Sequence, residues 1–157
     1  MHRFSPHPDG VMLTLFPEEA EALVMLPEML DSVGEVPGDP AASRLAVSAY
    51  PDDPDADAEF GDWLGPQLNI GRAADRSAVT TSLEVARTEP VVLSMEEAEA
   101  WLLVLNEARL TLAARLGITE EGWSDDQELD DTAPPLAYLT FLTYLHGELT
   151  SVLLEKL

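Results

Sequence analysis

A mainly α-helical single domain, a helical bundle with a small N-terminal β-hairpin, is the fold this sequence predicts. Three observations lead there. Apolar residues recur at helical spacing in residues 17–33, 55–87, 94–116 and 134–157. Strict alternation is confined to residues 1–16. A chain of 157 residues with 46% hydrophobic side chains suits one core and one domain.

The hairpin rests on Asp9-Gly10 as a turn dipeptide, with Val11, Leu13 and Leu15 alternating with Met12 and Thr14. Its partner strand is expected at residues 2–5, with Pro6 and Pro8 lengthening the loop. Pro17 suits a first helical position, Glu18 and Glu19 favour the positive end of the helix dipole, and Leu23, Leu26 and Leu30 share a face. Pro27 should kink or split that helix. Residues 34–40 read as a Pro- and Gly-rich loop, followed by a helical turn and an extended stretch through residue 53.

Phe60, Trp63 and Leu64 place residues 55–64 on a helix that Gly65-Pro66 is expected to interrupt. A further helix then runs from about Leu68 to Arg87, with Val79 and Leu83 one turn apart. The clearest helix is 94–116: Ser94 with Glu97 fits a capping box, and Gly117 stands where a left-handed C-terminal cap belongs. Its stripe of Ala98, Trp101, Leu102, Leu105, Ala108, Leu112 and Leu116, with a second patch at Leu103 and Leu110, marks a central helix with neighbours on both sides. Arg109 falls inside the stripe and therefore needs a carboxylate partner or a route to solvent.

Residues 120–131 hold seven acids and no base, which predicts a solvated loop. In the last helix, Glu148 is the single formal charge between Leu136 and Leu154. An apolar arc from Tyr138 to Leu153 lies opposite a stripe of Thr140, Thr143, Gly147, Thr150 and Ser151. Surface helices normally carry charge, so burial on nearly all sides is expected, within the domain or across a homodimer.

Charge narrows the function classes. Thirty acidic residues against eight basic ones give a formal net charge of −22. Affinity for nucleic acid comes from Lys and Arg displacing counterions, so direct DNA binding is disfavoured, as is an anionic membrane surface. The chain has no cysteine, which excludes disulfides, thiolate metal sites and thiol redox switching. The N-terminal residues lack an apolar signal region and the aliphatic runs are short, so a cytoplasmic protein is expected. Seven of the eight basic residues are Arg (3, 44, 72, 76, 87, 109 and 115). Codon bias accounts for that, and so does placement of planar guanidinium groups to clamp carboxylates; the two are compatible.

Catalytic patterns are missing. Asp53, Asp55 and Asp57 imitate the start of a calcium loop, but Ala58 replaces the required glycine and Leu64 the bidentate acid. His2, His7 and His146 have no metal-ligand spacing, and there is neither a phosphate loop nor a nucleophile elbow. No cofactor, metal site or enzymatic activity is expected. Arg44, Asn106, Arg109 and Arg115 stand out as candidates for partner binding or an internal polar network, Asn106 and Arg109 being one helical turn apart. The acidic segments supply either solubility or a surface for a basic protein partner.

Two stretches, DPAASRLAVSAYPDD (39–53) and WLLVLNEARLTLAARLGITEE (101–121), resemble the AosR-like family of actinobacteria. The order of hairpin start, central helix and terminal helix extends the likeness over essentially the whole chain. The resemblance implies an oxidative-stress transcriptional regulator whose genes neighbour a proteolytic adaptor and a sulfur-carrier pathway. With no thiol to sense oxidants, sulfoxidation of Met1, Met12, Met25, Met29 or Met95 is the remaining side-chain route. The expectation is thus a non-enzymatic regulator of the stress response that contacts a sigma factor or RNA polymerase. The alternative is an adaptor module linked to proteolysis or sulfur metabolism.

Overall fold

The computed structural model describes residues 1–46, 48–118 and 134–157. The acidic loop expected at 120–131 lies outside them.

Strands β1 (Phe4–His7) and β2 (Gly10–Leu13) form the hairpin, in register Phe4↔Leu13 and His7↔Gly10. The register corrects the sequence reading. Pro8 and Asp9 make the turn, Gly10 opens the second strand, and the first strand is shifted two residues along the chain. Pro6 lies inside it, tolerated because β1 is an edge strand. Gly10 has a φ of 151°, and a Cβ there would sit 1.9 Å from the Leu93 carbonyl oxygen, so the close approach of the next strand requires glycine. That next strand, β3 (Val91–Leu93), pairs antiparallel with β2 and was not expected. Val11, Leu13 and Leu93 turn one sheet face into the core.

Among the described residues, five further segments are helical, and a sixth arises because proline splits the first. Pro27 divides it into α1 (Pro17–Leu23) and α2 (Leu26–Asp31), as expected. Asp39 caps α3 (Pro40–Leu45) by accepting from Ala41 N–H at 3.0 Å.

Helix α4 (Pro54–Ala86) is a single 33-residue element that runs through Gly65 and Pro66, which corrects the predicted interruption. Proline excludes the helical region for its predecessor partly through the predecessor's Cβ, and Gly65 has none. The cost is reduced to the hydrogen bond that the Asp62 carbonyl loses. Only Val79, Ser82, Leu83 and Ala86 of α4 are buried, so its first two thirds flank the core rather than enter it.

Helix α5 (Met95–Arg115) is central, packing against α2, α3, α4 and the last helix. Ser94 Oγ accepts from Glu97 N–H at 3.1 Å. Gly117, at φ 79°, closes the other end: its N–H donates to Ala114 and that of Ile118 to Ala113, the Schellman pairing. The buried arc includes Ala100, Val104 and Thr111 beside Trp101 and Leu105, while Leu103 is half exposed rather than part of a second packed patch. Its centre is therefore displaced, and Arg109 falls at its margin.

Helix α6 (Pro134–Glu155) buries Leu136, Leu142, Leu145, Leu149 and Val152. Tyr138 donates its hydroxyl to the Ala22 carbonyl at 2.7 Å, and burial pushes that phenol up to about 12. The opposite stripe is not buried within the chain. Thr140, Thr143, Gly147 and Ser151 are exposed and Thr150 is half-buried, which corrects the intramolecular half of the expectation. Among the described residues, no helix is long and apolar enough to cross a membrane.

Candidate functional site

The four residues singled out by sequence do not form one site. Arg109 Nη2 donates to Asn106 Oδ1 at 2.9 Å, so these two meet as their spacing suggests. The Arg109 Nε is buried without a hydrogen-bond partner. Arg109 also bears on α6: burial and the neighbouring Arg109 charge together hold His146 below the usual histidine range. Arg115 is engaged further along α5, through Nη2 with Asp39 Oδ2 at 2.9 Å and with Ser32 Oγ at 3.1 Å. Asp39 thereby fastens Arg115, the start of α3 and the Gly34 amide together. Arg115 first, then the backbone N–H groups of Gly34 and Ala41, hold the Asp39 carboxyl well below the ordinary carboxylate range. Arg44, in the last turn of α3, is exposed.

Like Arg115, four other arginines clamp carboxylates. Arg3 holds Glu19 at 2.8 Å, and Arg87 holds both Glu21 and Glu84. Arg72 and Arg76, one turn apart on α4, both approach Glu107 of α5, at 3.4 and 3.5 Å. Arg76 Nη1 also reaches Asp31 Oδ1 at 2.6 Å, and Arg72 Nη2 donates to the Leu45 carbonyl at 3.1 Å. Asp31, Leu45, Arg72 and Arg76 line a cleft of about 340 Å³ between α2, α3 and α4. The i, i+4 spacing of the two arginines was visible in the sequence, but their partners, distant along the chain, were not.

The first half of α4 presents a different surface. Tyr50, Phe60 and Trp63 form a chain of ring contacts with centroids 6.1 and 6.2 Å apart. Trp63 is 64% exposed, and Ile70, two turns on along the same face, is 73% exposed. Around them lie Asp52, Asp53, Asp55, Glu59 and Asp62, all exposed, and no basic residue occurs between Arg44 and Arg72. The acids are not equivalent. Asp53 caps α4 through Ala56 N–H, and Asp57 is not solvated in the way a bare acidic run would be. Its Oδ1 accepts from Ala49 and Tyr50 N–H at 3.0 and 3.1 Å, and Ser48 Oγ also donates to it. The Tyr50 amide chiefly, with Ser48 and Ala49, lowers its carboxyl pKa. Asp57 therefore places Tyr50 over Phe60. Among the described residues, no group of three His, Asp or Glu side chains is arranged to hold a metal ion.

One family's sequence model, described as a domain of unknown function (DUF2017), matches residues 1–153. The chain belongs to the DUF2017 family. No curated protein and no solved structure shows significant similarity to it. In this DUF2017 chain the match takes in the sheet, the arginine-lined cleft, the aromatic cluster and nearly all of α6.

Proposed function

We propose that this DUF2017 chain is a non-enzymatic regulator of the AosR-like kind, which acts on transcription by contacting a basic surface of a sigma factor or an RNA polymerase subunit. The observation that carries the reading is the Tyr50–Phe60–Trp63 cluster, exposed at Tyr50 and Trp63, with five exposed carboxylates close to it in the sequence. Aromatic side chains supply most of the energy of protein interfaces where they can be desolvated, and a surrounding charge of one sign steers and selects the partner. A net charge of −22 supports contact through protein rather than DNA. The reading includes a homodimer through α6. On its exposed stripe, Thr140 and Ser151 donate their hydroxyls to carbonyls of their own helix, leaving a small, uncharged face with few unmet donors.

The test is binding of purified sigma factors and core polymerase from the source organism to the full chain. Trp63→Ala and the double reversal Glu59→Lys/Asp62→Lys should each weaken binding about tenfold or more, and added salt should weaken it further. Tight sequence-specific DNA binding at physiological salt overturns the protein-contact mechanism. Binding only to proteolytic or sulfur-pathway enzymes replaces the regulator by the adaptor. Light scattering that gives a single 17.1 kDa chain rejects the dimer.

A further inference from the structure

Independently of that reading, the geometry points to the cleft between α2, α3 and α4 as a binding site for a small organic carboxylate with an apolar body. In a chain with eight basic residues, Arg72 and Arg76 stand on successive turns of α4 and line the same concavity. Its volume of about 340 Å³ falls within the range of small-molecule sites. It adjoins a second recess of about 220 Å³ bounded by Phe60, Leu64 and Leu68, the two sharing Leu45, Asn69 and Arg72 as common wall.

The guanidinium groups are held by charge but not saturated by hydrogen bonds. Their separations from Glu107, 3.4 and 3.5 Å, exceed the usual N–H···O length, and Glu107 Oε2 and Arg76 Nε are buried without partners. At the mouth, Asp31 sets one oxygen 2.6 Å from Arg76 Nη1 while its side chain remains 67% exposed. It occupies the position an incoming carboxylate would take, and being exposed it can swing aside at little cost.

Charge selects the ligand. Arg72 and Arg76 balance Glu107 and Asp31, so displacement of Asp31 leaves the site one positive charge in excess, matched to a monoanion. The planar fork of arginine favours a carboxylate, and the recess at Phe60, Leu64 and Leu68 accepts an aliphatic or aromatic body.

Octanoate is a suitable probe for calorimetry on the full chain, with 1-octanol and inorganic phosphate as comparators. Saturable one-site binding at about millimolar or tighter is expected for octanoate, and not for either comparator at the same concentration. Arg76→Gln should weaken it at least about tenfold. Asp31→Asn, which keeps the shape of an exposed side chain but removes its charge, should strengthen it several-fold by weakening the internal competitor. Absence of octanoate binding, equal binding of octanol or phosphate, or an Asp31→Asn variant that binds no more tightly than the wild type overturns the assignment.

Discussion

The indole Nε1 of Trp101 donates to Ser82 Oγ across 2.7 Å, with both residues buried. Ser82 Oγ in turn donates to the Ala78 carbonyl at 2.9 Å, so one hydroxyl is spent on both its roles. The Trp101 ring meets Phe4 edge to face at 6.0 Å, and a single side chain thereby links β1, α4 and α5. Ser82→Ala removes the acceptor without enlarging any side chain. It should destabilise the protein by about 1–3 kcal/mol, the cost of an unpaired buried donor, in chemical denaturation followed by tryptophan fluorescence. A loss within error of zero would mean that the indole finds another acceptor.

Thr111 offers the opposite case. It is fully buried, and its hydroxyl has no hydrogen-bond partner. Thr111→Val preserves shape and removes the unmet group, so stability should rise by about 1 kcal/mol. Equal or lower denaturation midpoints would show that the hydroxyl is satisfied in solution.

Glu148, the single charge between Leu136 and Leu154, accepts from Phe4 N–H at 2.6 Å, from the Tyr144 hydroxyl at 2.8 Å and from His2 Nδ1 at 3.1 Å. Burial alone would push its carboxyl up, but these bonds and the Arg3 amide prevail and hold it below the usual glutamate range. A depressed native pKa adds stability above the unfolded value, and that contribution is lost as pH falls through the native one. Glu148→Gln should therefore cost about 1 kcal/mol at neutral pH, with the gap from wild type closing under acid conditions. The comparison cancels the protein's general self-repulsion, which both share. A gap constant with pH would show that the charge contributes nothing.

Local signals proved legible and distant ones did not. The split at Pro27, the Ser94 cap and the Gly117 terminus are decided within a turn of chain, and the structure has each where the residues indicate. Strand β3 is three residues long, too short to show a period, and its partner lies some eighty residues earlier. The missing charge on the outer face of α6 allowed burial within the domain or across a homodimer, and only the first of these is excluded by the exposed stripe, because composition alone does not say which surface covers a face. Of the polar candidates, Asn106–Arg109 was readable from helical spacing. The convergence of Arg72 and Arg76 on Glu107, and of Arg115 on Asp39, depends on how helices pack, which spacing does not encode.

The continuity of α4 has a consequence for dynamics. Gly61, Gly65 and Gly71 lie in the part of the helix that contributes no fully buried residue, and beyond its chain neighbours and own helix backbone a Cβ at any of them would meet nothing within 4 Å. Each glycine lowers helix stability by about 1 kcal/mol relative to alanine, and Pro66 removes a hydrogen bond in their midst. Little tertiary packing offsets these losses, so residues 54–71 should open locally well below the global unfolding free energy. Gly61→Ala, Gly71→Ala and their combination should each slow amide exchange across this segment, by about fivefold per substitution, while leaving exchange in α5 unchanged. Gly65→Ala should do the reverse, because a Cβ before Pro66 restores the clash that its absence relieves. If Gly65→Ala protects the segment as well as its neighbours do, glycine is not what lets the helix pass its proline.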